Sequence, residues 1–147
     1  MRRAWPATKP ISIRISAHDW EAGGNTADDA VEISRRLSEA GNDIVAVSAG
    51  GTSYERPATR ILGRLYQTGF ADQIRNELKV PTMAVGAISS VGDANTIIAA
   101  GRADMCLMAR GLLFDPYFAR HAANTQGHAW TWPNPYHAAD KLRMRDG

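Results

Sequence analysis

Four strand-length apolar runs, each followed by a segment of helical period, limit this chain more than any other feature. The runs are Ile11 to Ser16, Asp43 to Val47, Thr82 to Val85 and Met105 to Met108, all rich in Val, Ile or Met. Between and after them lie Asp28 to Ala40, Phe70 to Leu78, Ser90 to Ala100 and Pro116 to Asn124. Ala30, Ile33, Leu37 and Ala40 share one face of the first of these segments. Thr26 with Asp29 supplies its cap and Gly41 its stop, and Ser90 and Gly101 punctuate the third segment in the same way. A βα unit repeated four times predicts an α/β fold with a parallel sheet and right-handed crossovers. Such a sheet is either a small open one or half of an eightfold barrel. A complete (β/α)8 barrel takes ~250 residues, so 147 residues are close to half of one plus a tail. Composition does not choose between the two.

The chain reads as one partial domain over 1–147, with βα units over about 10–123 and a tail over 124–147. The connection from Ser48 to Gly69 is longer than loops usually are, a mark of functional segments. The tail, with Trp130-Thr131-Trp132-Pro133-Asn134-Pro135-Tyr136, has no periodicity and is expected to wrap the surface.

Charge and composition exclude several classes of function. Lys and Arg number 17 against 15 Asp and Glu, a net charge of +2 with no basic stripe, so a nucleic-acid partner is not expected. One cysteine, Cys106, and four histidines without ligand spacing argue against a metal site. A lone cysteine cannot form an internal disulfide, which suits a reducing cytoplasm. No apolar run approaches the ~20 residues of a membrane span, and Met1 to Pro6 is too short and polar for a signal peptide. The expectation is a small cytoplasmic domain without a membrane partner.

The strand ends carry the chemistry. Ile11, Ile13 and Ile15 alternate with Ser12, Arg14 and Ser16, so the Ile face meets the helices and Arg14 faces the other way. A charged side chain there needs a partner. That partner is either a carboxylate in a structural ion pair, such as Asp19 or one absent from this chain, or a ligand. Each run also ends in small residues: Ser16-Ala17, Ser48-Ala49-Gly50-Gly51, Gly86-Ala87 and Ala109 before Arg110-Gly111. Ligands of parallel α/β folds sit at the carboxyl ends of strands, where small residues let a ring or phosphate reach backbone N–H groups. A single glycine is simply a turn former, but four such ends together point to a site. Arg110, at a turn from strand into helix, adds a fork suited to phosphate. Neither G-x-G-x-x-G nor G-x-x-x-x-G-K-[ST] occurs.

Taken together, Ile13-Arg14-Ile15-Ser16-Ala17-x-Asp19-Trp20, Val47-Ser48-Ala49-Gly50, Val85-Gly86-Ala87-Ile88, Gly101-Arg102-Ala103-Asp104 and Ala109-Arg110-Gly111-Leu112-Leu113-x-Asp115-Pro116 resemble the Old Yellow Enzyme family. These are FMN-dependent NAD(P)H oxidoreductases built on a TIM barrel. The match runs in register from about residue 10 to residue 123. Gly63-Arg64-Leu65-Tyr66-Gln67-Thr68 and Phe70 to Glu77 look most like the reductase part of the salicylyl-CoA and 2-aminobenzoyl-CoA monooxygenases.

The resemblance implies that the chain is the C-terminal half of a TIM (β/α)8 barrel, its strands the fifth to eighth. It also implies FMN as cofactor and NAD(P)H as reductant. Arg14 would face the N1/O2 edge of the flavin. Ser48, Ala49 and Gly50 would line the ribityl side. Gly86, Ala109 and Arg110 would hold the phosphate, with Ala109-Arg110 standing where relatives usually carry Gly-Arg. The substrate would be a small molecule, an activated alkene or an aryl-CoA derivative.

The family's substrate-anchoring His pair and tyrosine proton donor belong to the first half of the barrel, so no catalytic residue is assigned in this chain. The partner would be that missing N-terminal half-barrel, or a second copy through self-association. A non-catalytic half-barrel is the rival reading. A different phosphate-binding barrel, such as an aldolase, would want a lysine within a strand, whereas Lys9 and Lys79 precede strands. Of the remaining candidates, His18 is expected at the surface, Cys106 in the core and the four tryptophans on the outside. Ser48 lacks the context of a hydrolase nucleophile.

Overall fold

Local rules place most of the elements. The computed structural model describes residues 1–52 and 63–142. Strand β1 (Ser12–Ser16) leads to helix α1 (Ala27–Glu39), β2 (Ile44–Ser48), α2 (Thr68–Leu78), β3 (Thr82–Ala84), α3 (Val91–Ala99) and β4 (Met105–Cys106). Helices α4 (Arg110–Phe114) and α5 (Phe118–Thr125) follow, then a 3₁₀ stretch at Asn134–Leu142. Thr26 and Asp29 form a reciprocal capping box on α1, and Ser90 and Asp93 do the same on α3. At the far end of α1 the Gly41 amide donates to the Ser38 carbonyl and the Asn42 amide to that of Leu37. Gly101 and Arg102 repeat the pattern on Ile98 and Ile97. Both are Schellman closures, which satisfy the last free carbonyls of a helix.

Most boundaries move by one or two residues from the sequence reading, and three differences have a local cause. Ile11 precedes β1 rather than opening it, because its amide is taken by the Asp43 carboxylate at 2.7 Å. The last helix starts at Phe118 instead of Pro116, since the Asp115 carboxylate accepts from the Tyr117 amide at 3.0 Å and holds a turn there. Helix α4 was not foreseen, being only five residues long and too short to show a period. Residues 53–62 of the long connection lie outside the described residues.

The sheet is parallel throughout, in the order β1-β2-β3-β4. Its register aligns Ile15, Val47, Ala84 and Cys106 in one row, and Arg14, Ala46, Met83 and Met105 in the neighbouring one. Alternate residues of a strand point to opposite faces. The first row packs into the core with Ala30 and Val31 of α1, Ala71 and Ile74 of α2, and Ile97 of α3. All three crossover helices therefore cover the same face. An open doubly wound sheet would place helices on both. Sequential strand order with one-sided helices is the arrangement of a barrel half, which resolves the choice that composition left open. Residues Leu112–Gly147 form a separate compact unit. Within it the Arg120 guanidinium lies over the Trp132 ring, and His137 Nε2 meets the Trp132 carbonyl at 2.9 Å.

Candidate functional site

The carboxyl ends of β2, β3 and β4, together with Arg14 of β1, open into one cavity of about 540 Å³. Arg14, Ser48, Ala49, Gly50, Gly86, Ala109 and Arg110 all line it, so the residues singled out at separate strand ends share one wall. Among the described residues the lining contains two guanidinium groups and no carboxylate. Among the described residues no Asp or Glu pairs with Arg14 or Arg110. Such a cavity favours an anion.

The structure bears on one form of the ion-pair reading of Arg14, the pair with Asp19. Its side chain stands on the face opposite the core row and is exposed. Arg14 Nε donates to Ser48 Oγ at 3.1 Å, and Ser48 Oγ donates in turn to the Ile15 carbonyl at 3.0 Å. No structural ion pair with Asp19 forms. The Asp19 carboxylate instead accepts from the Asn25 amide and from Thr52 Oγ1, both at 2.8 Å. Those bonds, the Asn25 amide first, hold its carboxyl below the usual range.

At the end of β3 the backbone turns through Gly86 and Ala87 with φ of +109° and +51°. For Ala87 this left-handed conformation costs about 1–2 kcal/mol. Gly86 is a glycine for a reason internal to the protein. A Cβ there would fall 2.9 Å from Cβ and Cγ of Gln67. After β4 the chain enters α4 at Arg110, and the first amides of a helix have no intrahelical acceptor. Arg110 is itself exposed.

Sequence reading quoted Tyr66 and Gln67 in the resemblance but gave them no site role, and both line the cavity. They lie near the end of the long connection, just before α2, and carry no periodic signal; the length of that connection was the only mark on them. His18 departs from its expected surface position. It is half-buried, its ring 4.5 Å from Trp20 and 5.9 Å from Phe70, with Nδ1 accepting from the Trp20 amide at 2.9 Å. Trp20 thus belongs to this ring cluster rather than to the outside. Cys106 packs against the core, and burial pushes its thiol pKa up.

Comparison with known proteins agrees with this geometry. Residues 2–127 match the NADH:flavin oxidoreductase / NADH oxidase family. The chain is 36% identical over 140 residues to an NADPH dehydrogenase of Clostridium acetobutylicum, covering 95% of this chain and 40% of that protein. It is 39% identical over 127 residues to an NADPH dehydrogenase of Geobacillus sp. (strain WCH70), covering 86% of this chain and 36% of that one. It therefore spans about two-fifths of the length of these relatives. Among solved structures, a 2-naphthoyl-CoA reductase in complex with 2-naphthoyl-CoA superposes with a TM-score of 0.65 at 23% identity, over 81% of this chain and 18% of that one. That likeness speaks for the barrel fold. The cofactor to which the family and its dehydrogenases point is FMN, with NAD(P)H as reductant. With nearly the whole chain matched in sequence and its strands laid out as a barrel half, the protein belongs to the NADH:flavin oxidoreductase / NADH oxidase family, the Old Yellow Enzymes.

Proposed function

We propose that this chain forms the flavin-phosphate half of an FMN-dependent NAD(P)H oxidoreductase site of the ene-reductase type. The observation that carries the reading is the donor set. Two guanidinium groups line one cavity, and among the described residues neither has a carboxylate partner and none of the lining is acidic. That set fits a phosphomonoester at one end and an electron-rich ring edge at the other. Arg110 and the turn amides beside it would hold the phosphate. Ser48, Ala49 and Gly50 would line the ribityl chain. Arg14, aimed by the Ser48 hydroxyl, would face the N1/O2 edge and favour negative charge there. FMN when bound supplies the hydride chemistry, and the protein supplies binding, orientation and charge.

In the complete enzyme the substrate would be a small molecule with an activated double bond or an aryl-CoA derivative. The lone Cys106, packed in β4, suits the reducing cytoplasm that this reading assigns. A second reading is favoured by the sheet face that bears Arg14, Ala46, Met83 and Met105, where Met105 is 53% exposed. In that reading the chain is a non-catalytic half-barrel, and its open face is covered by an N-terminal half-barrel or by a second copy.

Titration of the 147-residue chain with FMN, followed by flavin fluorescence, tests the first reading. Arg110→Ala should weaken binding by about 1.5–3 kcal/mol, the worth of a charged hydrogen bond. Unchanged affinity would defeat the phosphate assignment.

A further inference from the structure

Gln67 occupies the N-cap position of α2 but makes no side-chain hydrogen bond to that helix. Its carboxamide turns inward instead, and the residue is only 5% exposed. Nε2 donates to the Ala49 carbonyl at 2.9 Å and to the Tyr66 hydroxyl at 2.8 Å. The other side of the same group lies against Gly86, whose built Cβ would sit 2.9 Å from Gln67 Cβ and Cγ and 3.0 Å from Oε1. One buried side chain therefore touches the turn that follows β2 and the turn that follows β3. Both turns line the cavity.

We infer that Gln67 is a positioning residue for the phosphate end of this cavity. It sets the spacing between the Ala49–Gly50 turn and the Gly86 turn, and with it the geometry offered to a phosphoryl group. The inference rests on the flavin reading given above. The chemistry suits a carboxamide in particular. Its two N–H groups serve two acceptors, its stem fills the space that a Cβ on Gly86 would claim, and it brings no charge near an anion. Methionine would keep the length but leave the Ala49 carbonyl without its donor. Glutamate would keep the shape but set a carboxylate against that carbonyl and add negative charge beside the phosphate.

The test compares FMN with riboflavin, which lacks the phosphate, on the 147-residue chain and its Gln67→Met and Gln67→Glu variants. Gln67→Met should weaken FMN about tenfold while changing riboflavin less than about twofold. Gln67→Glu should lower the FMN-to-riboflavin affinity ratio further. A purely structural residue would shift both flavins together, and an unchanged ratio in both variants overturns the inference.

A wild-type chain that takes up neither flavin would remove the flavin reading, and the phosphate part of this inference with it. The coupling of the turns is then decided without ligand, by amide exchange. The Gly50 amide donates to the His18 carbonyl at 2.7 Å and the Leu107 amide to Ala84 at 2.8 Å, so both report on the two strand ends. Gln67→Met, or Gln67→Glu if the first variant does not fold, should speed their exchange about tenfold relative to α2. Equal protection in variant and wild type overturns the coupling.

Discussion

The Arg14 guanidinium is aimed by a hydroxyl: Ser48 Oγ accepts from Arg14 Nε at 3.1 Å while donating to the Ile15 carbonyl at 3.0 Å. The two side chains share one face of adjacent strands, offset by two residues: Arg14 in β1 stands beside Ala46, and Ser48 ends β2. A serine directs a cation without neutralising it, so the charge stays available to a ligand. This is the electrostatic difference between a binding arginine and a structural ion pair.

Arg14→Met should therefore be nearly neutral in a urea melt of the flavin-free chain, within about 1 kcal/mol, because no carboxylate is stranded. With flavin bound, the same variant should lower the midpoint potential, since a cation at the ring edge favours the reduced anion. A loss of ~3 kcal/mol in the flavin-free protein would mean that a buried acid depends on Arg14 after all.

Gly86→Ala should destabilise the chain before any ligand is added. Its φ of +109° lies in the region that favours glycine, and the new Cβ would press on Gln67 at 2.9 Å. The expected cost is about 1–3 kcal/mol by thermal or chemical denaturation. An unchanged melt would show that the turn relaxes freely, and loss of flavin binding in this variant could then be read as a local effect.

Asp93 should make stability depend on pH. The residue is 2% exposed, and its carboxylate accepts from the Ser89 and Ser90 amides at 3.0 Å and pairs with Arg64. Burial alone would raise its pKa, but these bonds outweigh it and the folded value lies below the ordinary one. A depressed folded pKa adds stability above the unfolded value of about 3.9. That stability is lost as pH falls through the folded value. Asp93→Asn should flatten the acid limb of a stability-versus-pH curve, and an identical limb in both proteins would contradict this assignment. Asp93→Ala, which also removes the Asp93 half of the α3 capping box, should cost about 1–2 kcal/mol at neutral pH.

Self-association is expected of the isolated chain. Strands β1 and β4 are the two edges of the described sheet, and Met105 on the face without helices is 53% exposed. Unpaired edges template pairing with other chains. Met105→Lys should reduce the association, because a charge at a strand edge opposes edge-to-edge contact. A monodisperse wild-type monomer at micromolar concentration in sedimentation velocity would contradict the expectation.

What the sequence determined by itself is much of what depends on neighbours a few residues apart. Thr26 with Asp29, Ser90 with Asp93, and the glycines at 41 and 101 set their helix ends through contacts within five residues, and all four features are legible in order. The small residues at the strand ends were legible too, because alternation and turn chemistry are local. Helix α4 and the delayed start of α5 escaped, the one for want of length and the other because Asp115 competes for the Tyr117 amide. Only the tertiary structure could decide that Arg14 meets Ser48, 34 residues away, or that Gln67 reaches Ala49, 18 residues away. It alone decided that α1, α2 and α3 share one face of the sheet, with Arg14 and Ser48 on the other. Those relations arise from sheet register and side-chain packing, which join residues that no local pattern connects.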